Sequence, residues 1–203
     1  MTIGALQGMR VAILATDGFE QAELLEPRIA LNHAGAATFV ISPLEKIKGW
    51  NSKEWGIELQ VDIPLKSAKA EDFHALLLPG GVINPDHLRM NQNAVRFVKD
   101  FMASGKPVAA ICHGAWTILE AGAARGRTMT SWPSLKTDLE NAGANWVDRD
   151  VVCDGKLVTS RKPARHSCLR SRDDSCVRRR AGALDRHAQD LLVSPTTMRL
   201  RTE

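Results

Sequence analysis

The stretch Lys106-Pro107-Val108-Ala109-Ala110-Ile111-Cys112-His113-Gly114-Ala115-Trp116-Thr117-Ile118-Leu119-Glu120-Ala121-Gly122 decides the fold. Pro107 to Ile111 is a short apolar run behind a Gly-Lys-Pro turn, which reads as a strand buried on both faces. Ala115 to Ala121 changes to helical composition and stops at Gly122. Cys112 therefore stands at a strand-to-helix corner, on the carboxyl edge of a sheet, where the next helix directs free N–H groups and the positive end of its dipole. That position favours thiolate over thiol: a cysteine at a helix N-terminus has its pKa lowered from about 8.5 to roughly 3.5–7.5. The spacing also suits a buried strand-end cysteine, because free Cys is among the most buried residue types.

Working outward, Met9 to Ala15 is an apolar strand with turn chemistry at Thr16-Asp17-Gly18. Glu20 opens a helix running to about Ala34, in which Pro27 predicts a kink or a late start. Thr38 to Ser42 reads as a second parallel strand, and Ile47–Asn51 with Ile57–Val61 as a hairpin at the sheet edge. Ala75 to Leu78 is a third buried strand, closed by Pro79-Gly80-Gly81, where glycines let backbone approach a ligand. Asn93 to Ser104 has one apolar face and reads as a helix. Arg127 to Ser131 is a further strand, Pro133 to Ala142 a helix, and Trp146 to Ser160 a pair of strands around Asp154-Gly155. The alternation of strand and helix is the pattern of a parallel sheet covered on both faces, whose ligands bind at strand carboxyl ends. The segments after Ala15, Leu78 and Ile111 all fall at such ends.

The chain has 203 residues, enough for one α/β domain with a substantial core. No apolar run reaches the length of a membrane span, and Met1–Met9 lacks a signal-peptide layout, so a cytoplasmic protein with no membrane partner is expected. The cysteines Cys112, Cys153, Cys168 and Cys176 show no Cys-x-x-Cys spacing, which fits a reducing compartment and argues against structural zinc. His33, His74 and His87 have no metal-ligand partners at suitable spacing, and no Gly-x-Gly-x-x-Gly or phosphate loop occurs, so neither metal nor other cofactor is expected. Charge is unevenly placed. Residues 164–203 hold nine Arg, no Lys and five acidic residues, leaving 18 basic and 18 acidic residues elsewhere. An arginine-rich tail raises nucleic acid as a partner, but a different origin of the tail, given below, removes that reason.

Ala-Ile-Cys-His-Gly after an apolar strand, Leu76-Leu77-Leu78-Pro79-Gly80-Gly81 upstream and Thr130-Ser131-Trp132-Pro133 downstream together resemble the ThiJ/PfpI superfamily, nearest its PfpI-type branch. The match runs in one consistent order from about Arg10 to Pro163. It implies a flavodoxin-like three-layer α/β sandwich with a mostly parallel sheet, related to class I glutamine amidotransferases. The expected organisation is an N-terminal extension (1–8), the α/β domain (9–163) and an atypical tail (164–203). True glutaminase chemistry is not expected: it needs a later His-x-Glu pair, whereas His166 is followed by Ser167-Cys168 and His187 by Ala188-Gln189.

The resemblance also implies site residues. Phe19-Glu20-Gln21-Ala22-Glu23-Leu24 matches the family's Phe-Glu-x-x-Glu-Leu element, whose first glutamate meets the elbow cysteine, making Glu20 the candidate and Glu23 a structural or surface residue. Taken alone, Glu20 equally suits dipole compensation at a helix start. His113 acts with Cys112, and an acid from a neighbouring subunit orients its ring; Asp86 in Asn84-Pro85-Asp86 aligns with that acid, although a helix N-cap is an equal reading. Gly81 and His113 backbone N–H groups are candidate oxyanion donors, and Trp116 is a candidate pocket wall.

Two departures stand out. Ala115 replaces a common Pro, and after Ser160-Arg161-Lys162-Pro163 the family's final-helix segment is missing. Moving the reading frame of the following stretch forward by one nucleotide permits His-Asp-Ile-Pro-Ala-Phe-Ala-Arg-Glu-Met-Ile, the missing helix, so the tail reads as a frameshift. The resulting expectation is a cofactor-independent cysteine enzyme, a homo-oligomer (dimer or hexamer), acting on small carbonyl or glycated substrates as a glyoxalase or deglycase, or on peptides. The alternative is a non-enzymatic stress protein, a redox sensor or chaperone using an oxidisable Cys112.

Overall fold

Apolar runs of four or five residues supply the centre of a seven-stranded sheet in the computed structural model, which describes residues 5–162. The elements are β1 (Arg10–Leu14), β2 (Phe19–Glu20), α1 (Gln21–His33), β3 (Ala37–Ser42), β4 (Lys46–Asn51), β5 (Glu54–Gln60), β6 (Ile63–Pro64), β7 (Ala75–Leu78), α2 (Ile83–Met90), α3 (Gln92–Ala103), β8 (Val108–Ile111), α4 (Ala115–Glu120), β9 (Thr128–Met129), α5 (Lys136–Asn141), β10 (Asn145–Trp146), β11 (Val151–Asp154) and β12 (Leu157–Ser160). The main sheet runs β11-β12-β8-β7-β1-β3-β6, with every pairing parallel except β11 with β12.

Successive residues of the central strands serve opposite layers. Ala12, Leu14, Leu76, Leu78, Val108 and Ala110 join the core against α2, α3, α4 and α5. Val11, Ile13, Leu77, Ala109, Ile111 and Cys112 join the core that includes Leu24 and Leu31 of α1. The fold is thus a flavodoxin-like α/β sandwich, as the family resemblance implies, with the mostly parallel central sheet that the strand–helix alternation predicts.

Several predicted elements shift. Glu20 precedes α1 as an extended residue, and Pro27 lies inside the helix. The hairpin β4–β5 belongs to a separate sheet, β2-β4-β5, because Phe19 and Glu20 pair with Gly49 and Trp50. Of the predicted strand 127–131 only Thr128–Met129 is extended in a ladder, paired with β10 outside the main sheet. Helix α2 follows the glycine turn directly, so the helix implied by reading Asp86 as an N-cap is present but starts at Ile83, three residues before Asp86. No helix among the described residues is long and apolar enough to cross a membrane. The tail that reads as a frameshift in the sequence, residues 164–203, lies outside the described residues, and Cys168 and Cys176 lie outside them with it.

Candidate active site

Strands β7 and β8 are neighbours in register, Leu78 beside Ala110, so their carboxyl ends deliver Pro79-Gly80-Gly81 and Cys112-His113-Gly114 to one place. Cys112 takes the left-handed backbone conformation, φ 57°, at the start of a single 3-10 turn leading into α4. A non-glycine residue there carries strain of order 1–3 kcal/mol and persists where the surroundings enforce it. The surroundings do: Trp132 N–H donates to the Cys112 carbonyl at 3.2 Å, and a Cβ at Gly114 would run into the Leu78 carbonyl and reach within 3.2 Å of the Pro79 carbonyl.

The carboxyl that meets the thiol is Glu23, not the predicted Glu20. Glu20 lies before the helix in extended conformation, whereas Glu23, in the first turn, is turned inward and only 3% exposed. Gly80 N–H donates to Glu23 Oε2 at 2.7 Å, and the thiol supplies a second hydrogen bond. A Cβ at Gly80 would stand 2.6 Å from Glu23 Oε2, 2.7 Å from the Ile111 carbonyl and 2.8 Å from His113 N, so only glycine permits this approach. Asn84 holds the loop: its amide donates to the carbonyls of Pro79 and Gly80, and its Oδ1 accepts from Thr16 N–H at 2.7 Å.

Burial raises the Glu23 pKa to about 7, with the Glu20 charge adding to the rise and the hydrogen bonds from Gly80 and Cys112 opposing it. Burial first, and the Glu23 charge second, push the Cys112 thiol upward, while the His113 backbone N–H directed at the sulfur pulls it down. The predicted depression by the helix terminus is therefore outweighed: α4 has six residues, and a carboxylate at contact distance repels a second anion. Thiol and carboxyl form a pair in which one exchangeable proton is the favoured state. Burial raises Glu20 and lowers His113, leaving the imidazole neutral at pH 7.

His113 Nδ1 lies 3.2 Å from Cys112 Sγ, and its Nε2 lies 3.2 Å from Ser134 Oγ. Asp86 is exposed in the first turn of α2. It is a helical residue rather than the N-cap, which is Val82. Trp116 is displaced from its predicted place in the pocket wall. It packs edge-on to the His113 ring at 5.3 Å and donates to Asp138 at 2.9 Å, because α4 carries it behind the imidazole. The pocket, about 570 Å³, is bounded instead by Trp50, Trp132, Val82 and Ile83, with Glu20, Glu26 and Lys162 at its polar positions and Glu23, Gly81, Cys112 and His113 also lining it. Sequence reasoning missed Glu23, Asn84, Ser134 and the two tryptophans. For the first, the sequence offered two glutamates in one Phe-Glu-x-x-Glu-Leu element, and the helix start at Gln21 is what turns Glu23 rather than Glu20 inward. No group of three or more His, Cys, Asp and Glu residues able to hold a metal gathers among the described residues.

The DJ-1/PfpI family model matches residues 9–170. A deglycase of Pyrococcus abyssi is 42% identical over 155 residues, 76% of this chain and 91% of the relative. General stress protein 18 of Bacillus subtilis is 43% identical over 77% of this chain and 90% of its own length. Among solved structures, the two-domain protein with DJ-1/ThiJ/PfpI-like and ferritin-like domains from Anabaena variabilis superposes with a TM-score of 0.72 at 39% identity, over 76% of this chain and 44% of that protein. Drosophila melanogaster DJ-1beta gives 0.68 at 28% identity, over 76% and 82%. With the elbow cysteine, the buried glutamate and these matches in agreement, the chain belongs to the DJ-1/PfpI family.

Proposed function

We propose that the protein is a cysteine-dependent enzyme acting on small carbonyl compounds, either 2-oxoaldehydes or the adducts they form with amines and thiols. The observation that carries this reading is the Cys112–Glu23 pair at the wall of a pocket of about 570 Å³, a volume suited to a small molecule. Cys112 Sγ adds to the carbonyl carbon: the C–S bond forms, the carbonyl π pair moves to oxygen, and the pair's proton is delivered to that oxygen, giving a hemithioacetal. Gly81 and His113 N–H groups are the proposed oxyanion donors. Glu23, left as a carboxylate, is then the base for the next proton transfer. Glu20 adds negative charge at the pocket and is assigned no contact with the sulfur.

The deglycase named among the relatives supports this chemistry, and the stress protein supports a second reading, in which oxidation of Cys112 is the function. Turnover of methylglyoxal and of methylglyoxal-modified N-acetylcysteine distinguishes them. Loss of turnover in Cys112→Ser is expected from the enzyme. No turnover by the wild-type chain, with selective peroxide oxidation of Cys112 seen by mass spectrometry, sinks it in favour of the sensor.

A further inference from the structure

Glu20 of β2 pairs in parallel with Trp50 of β4, so the two stand side by side on one ladder, and both line the pocket that holds Cys112. Glu26 lines it too, one turn beyond Ala22 on the same face of α1. A second ring comes from Trp132, stacked on His113 at 6.1 Å with 27° between planes and still 42% exposed. Both indoles are held in direction. Trp50 donates from Nε1 to the Ser52 carbonyl at 3.1 Å and meets Trp55 edge-on at 5.4 Å, while Trp132 is tied to the elbow by its backbone bond to the Cys112 carbonyl.

The carboxylates beside these rings are unneutralised. Neither the Glu20 nor the Glu26 side chain makes a hydrogen bond or ion pair among the described residues, although Glu20 is half-buried. Lys162 is the one cation among the described residues lining the pocket, set against Glu20 and Glu26, and Glu23 adds a further negative charge when it ionises. A carboxylate withdrawn from water without a counter-ion is costly, and the negative face of an aromatic ring attracts a cation. The lining therefore favours one sign of charge by two independent means.

We infer that Glu20, Glu26 and Trp50 are specificity-determining residues, which select carbonyl compounds that also carry a positively charged nitrogen and disfavour those that carry a carboxylate. The inference rests on the proposed carbonyl chemistry and narrows its substrate class. The carbonyl is presented to Cys112 and Glu23, while the charged nitrogen lies against the Trp50 ring with Glu20 and Glu26 as its counter-ions. A carboxylate in that place would meet two like charges and the negative face of an indole. The charged nitrogen does not react, so its contacts are the same in the ground and transition states, and they lower KM rather than raise kcat.

The test uses the full chain and reads charge selection at the sulfur without turnover. Three methanethiosulfonates are compared at about pH 8: the cationic trimethylammonioethyl, the anionic sulfonatoethyl and the neutral methyl reagent. Cys112 sulfur attacks the sulfenyl sulfur, an S–S bond forms and methanesulfinate leaves. Peptide mapping assigns the modified cysteine, and N-acetylcysteine amide supplies each reagent's intrinsic rate. The cationic-to-anionic rate ratio at Cys112, divided by that of the model thiol, is expected to be about tenfold or more. Glu20→Gln and Glu26→Gln are each expected to lower it by about two- to fivefold, the scale of one partly exposed charge. Trp50→Leu is expected to slow the cationic reagent relative to the neutral one. A change in folding or in thiol reactivity moves all three rates together and cancels in the ratio. A wild-type ratio equal to that of the model thiol overturns the inference, as does a ratio that is unchanged when Glu20→Gln and Glu26→Gln are combined. Choline is expected to protect Cys112 from the neutral reagent at lower concentration than its uncharged isostere dimethylbutanol, and equal protection also overturns it. None of these rates needs a carbonyl substrate, so charge selection stands or falls separately from the turnover of methylglyoxal.

Discussion

Gly80 N–H donates to Glu23 Oε2 over 2.7 Å, and this single bond aims a buried carboxyl at the sulfur of Cys112. The donor is backbone at the end of β7, the acceptor is a side chain from the first turn of α1, and the thiol comes from the end of β8. Three separate segments thus meet at one proton.

Replacing Glu23 separates its two duties. Glu23→Gln keeps an acceptor for Gly80 and a donor for the sulfur, so the fold is expected to survive while turnover falls by roughly 10²–10⁴-fold, the range for a lost general acid–base. Glu23→Ala also leaves the Gly80 N–H without a partner and costs about 1–3 kcal/mol of stability. Chemical denaturation beside steady-state kinetics measures both. Glu20→Gln with a larger kinetic effect than Glu23→Gln would reverse the assignment.

Stability should depend on pH through Glu23. Its folded-state pKa of about 7 lies above the ordinary 4.5, so the native state binds more protons between these values. The contribution is fully present below 4.5 and is lost as pH rises through 7, by on the order of 3 kcal/mol. His113, whose folded-state pKa is lowered by burial, acts oppositely and loses stability as pH falls below its usual value. Subtracting a Glu23→Gln stability profile from the wild-type one cancels the histidine and isolates the carboxyl. A flat difference from pH 5 to 8 would contradict a buried, proton-retaining Glu23.

Thiol labelling should reveal the same charge. Cys112 is 8% exposed and Cys153 is exposed, so access alone favours Cys153. With Glu23 ionised at pH 8, the Cys112 thiolate is disfavoured, and Glu23→Gln is expected to accelerate its alkylation relative to Cys153 in the same molecule. Peptide mapping after timed iodoacetamide exposure reads the ratio, and an unchanged ratio removes Glu23 from contact with the sulfur.

Gly80→Ala is expected to abolish turnover, because the added methyl would stand within 2.8 Å of Glu23 Oε2, the Ile111 carbonyl and His113 N. Displacement of any of the three misaligns the site. Retention of more than a tenth of wild-type activity would show that the loop yields without consequence.

The reading-frame proposal for residues 164–203 is settled at the DNA level. Resequencing is expected to reveal one displaced nucleotide near codon 164. A chain carrying the restored frame is expected to have a higher Tm and less tendency to aggregate, since the family's last helix then covers apolar surface. An equal Tm for both chains would count against it.

The parts legible in sequence are those where one strong physical signal acts locally. Ala75–Leu78 and Val108–Ile111 are uninterrupted apolar runs too short for buried helices and flanked by Pro and Gly, so they read as central strands, which puts Cys112 at their edge. Helix α2 gave no such signal: Ile83-Asn84-Pro85-Asp86-His87 has no apolar period, and the segment is held by the Asn84 clamp to Pro79, Gly80 and Thr16, 68 residues away in the last case. Glu20 and Glu23 are chemically identical, and only the helix start at Gln21 decides which one faces inward. Ser134 and Trp132 were illegible for the same reason, since their meaning comes from the Trp132–Cys112 backbone bond across the fold.

The left-handed backbone at Cys112 has a bearing on how this chain can evolve. Glycine would occupy that corner with less strain, by about 1 kcal/mol, and would remove a buried thiol from the neighbourhood of a buried acid. A lineage released from chemistry would find that replacement stabilising and one codon change away. Sulfur at a corner that the backbone would rather give to glycine costs the fold stability, the exchange that the proposed cysteine chemistry requires.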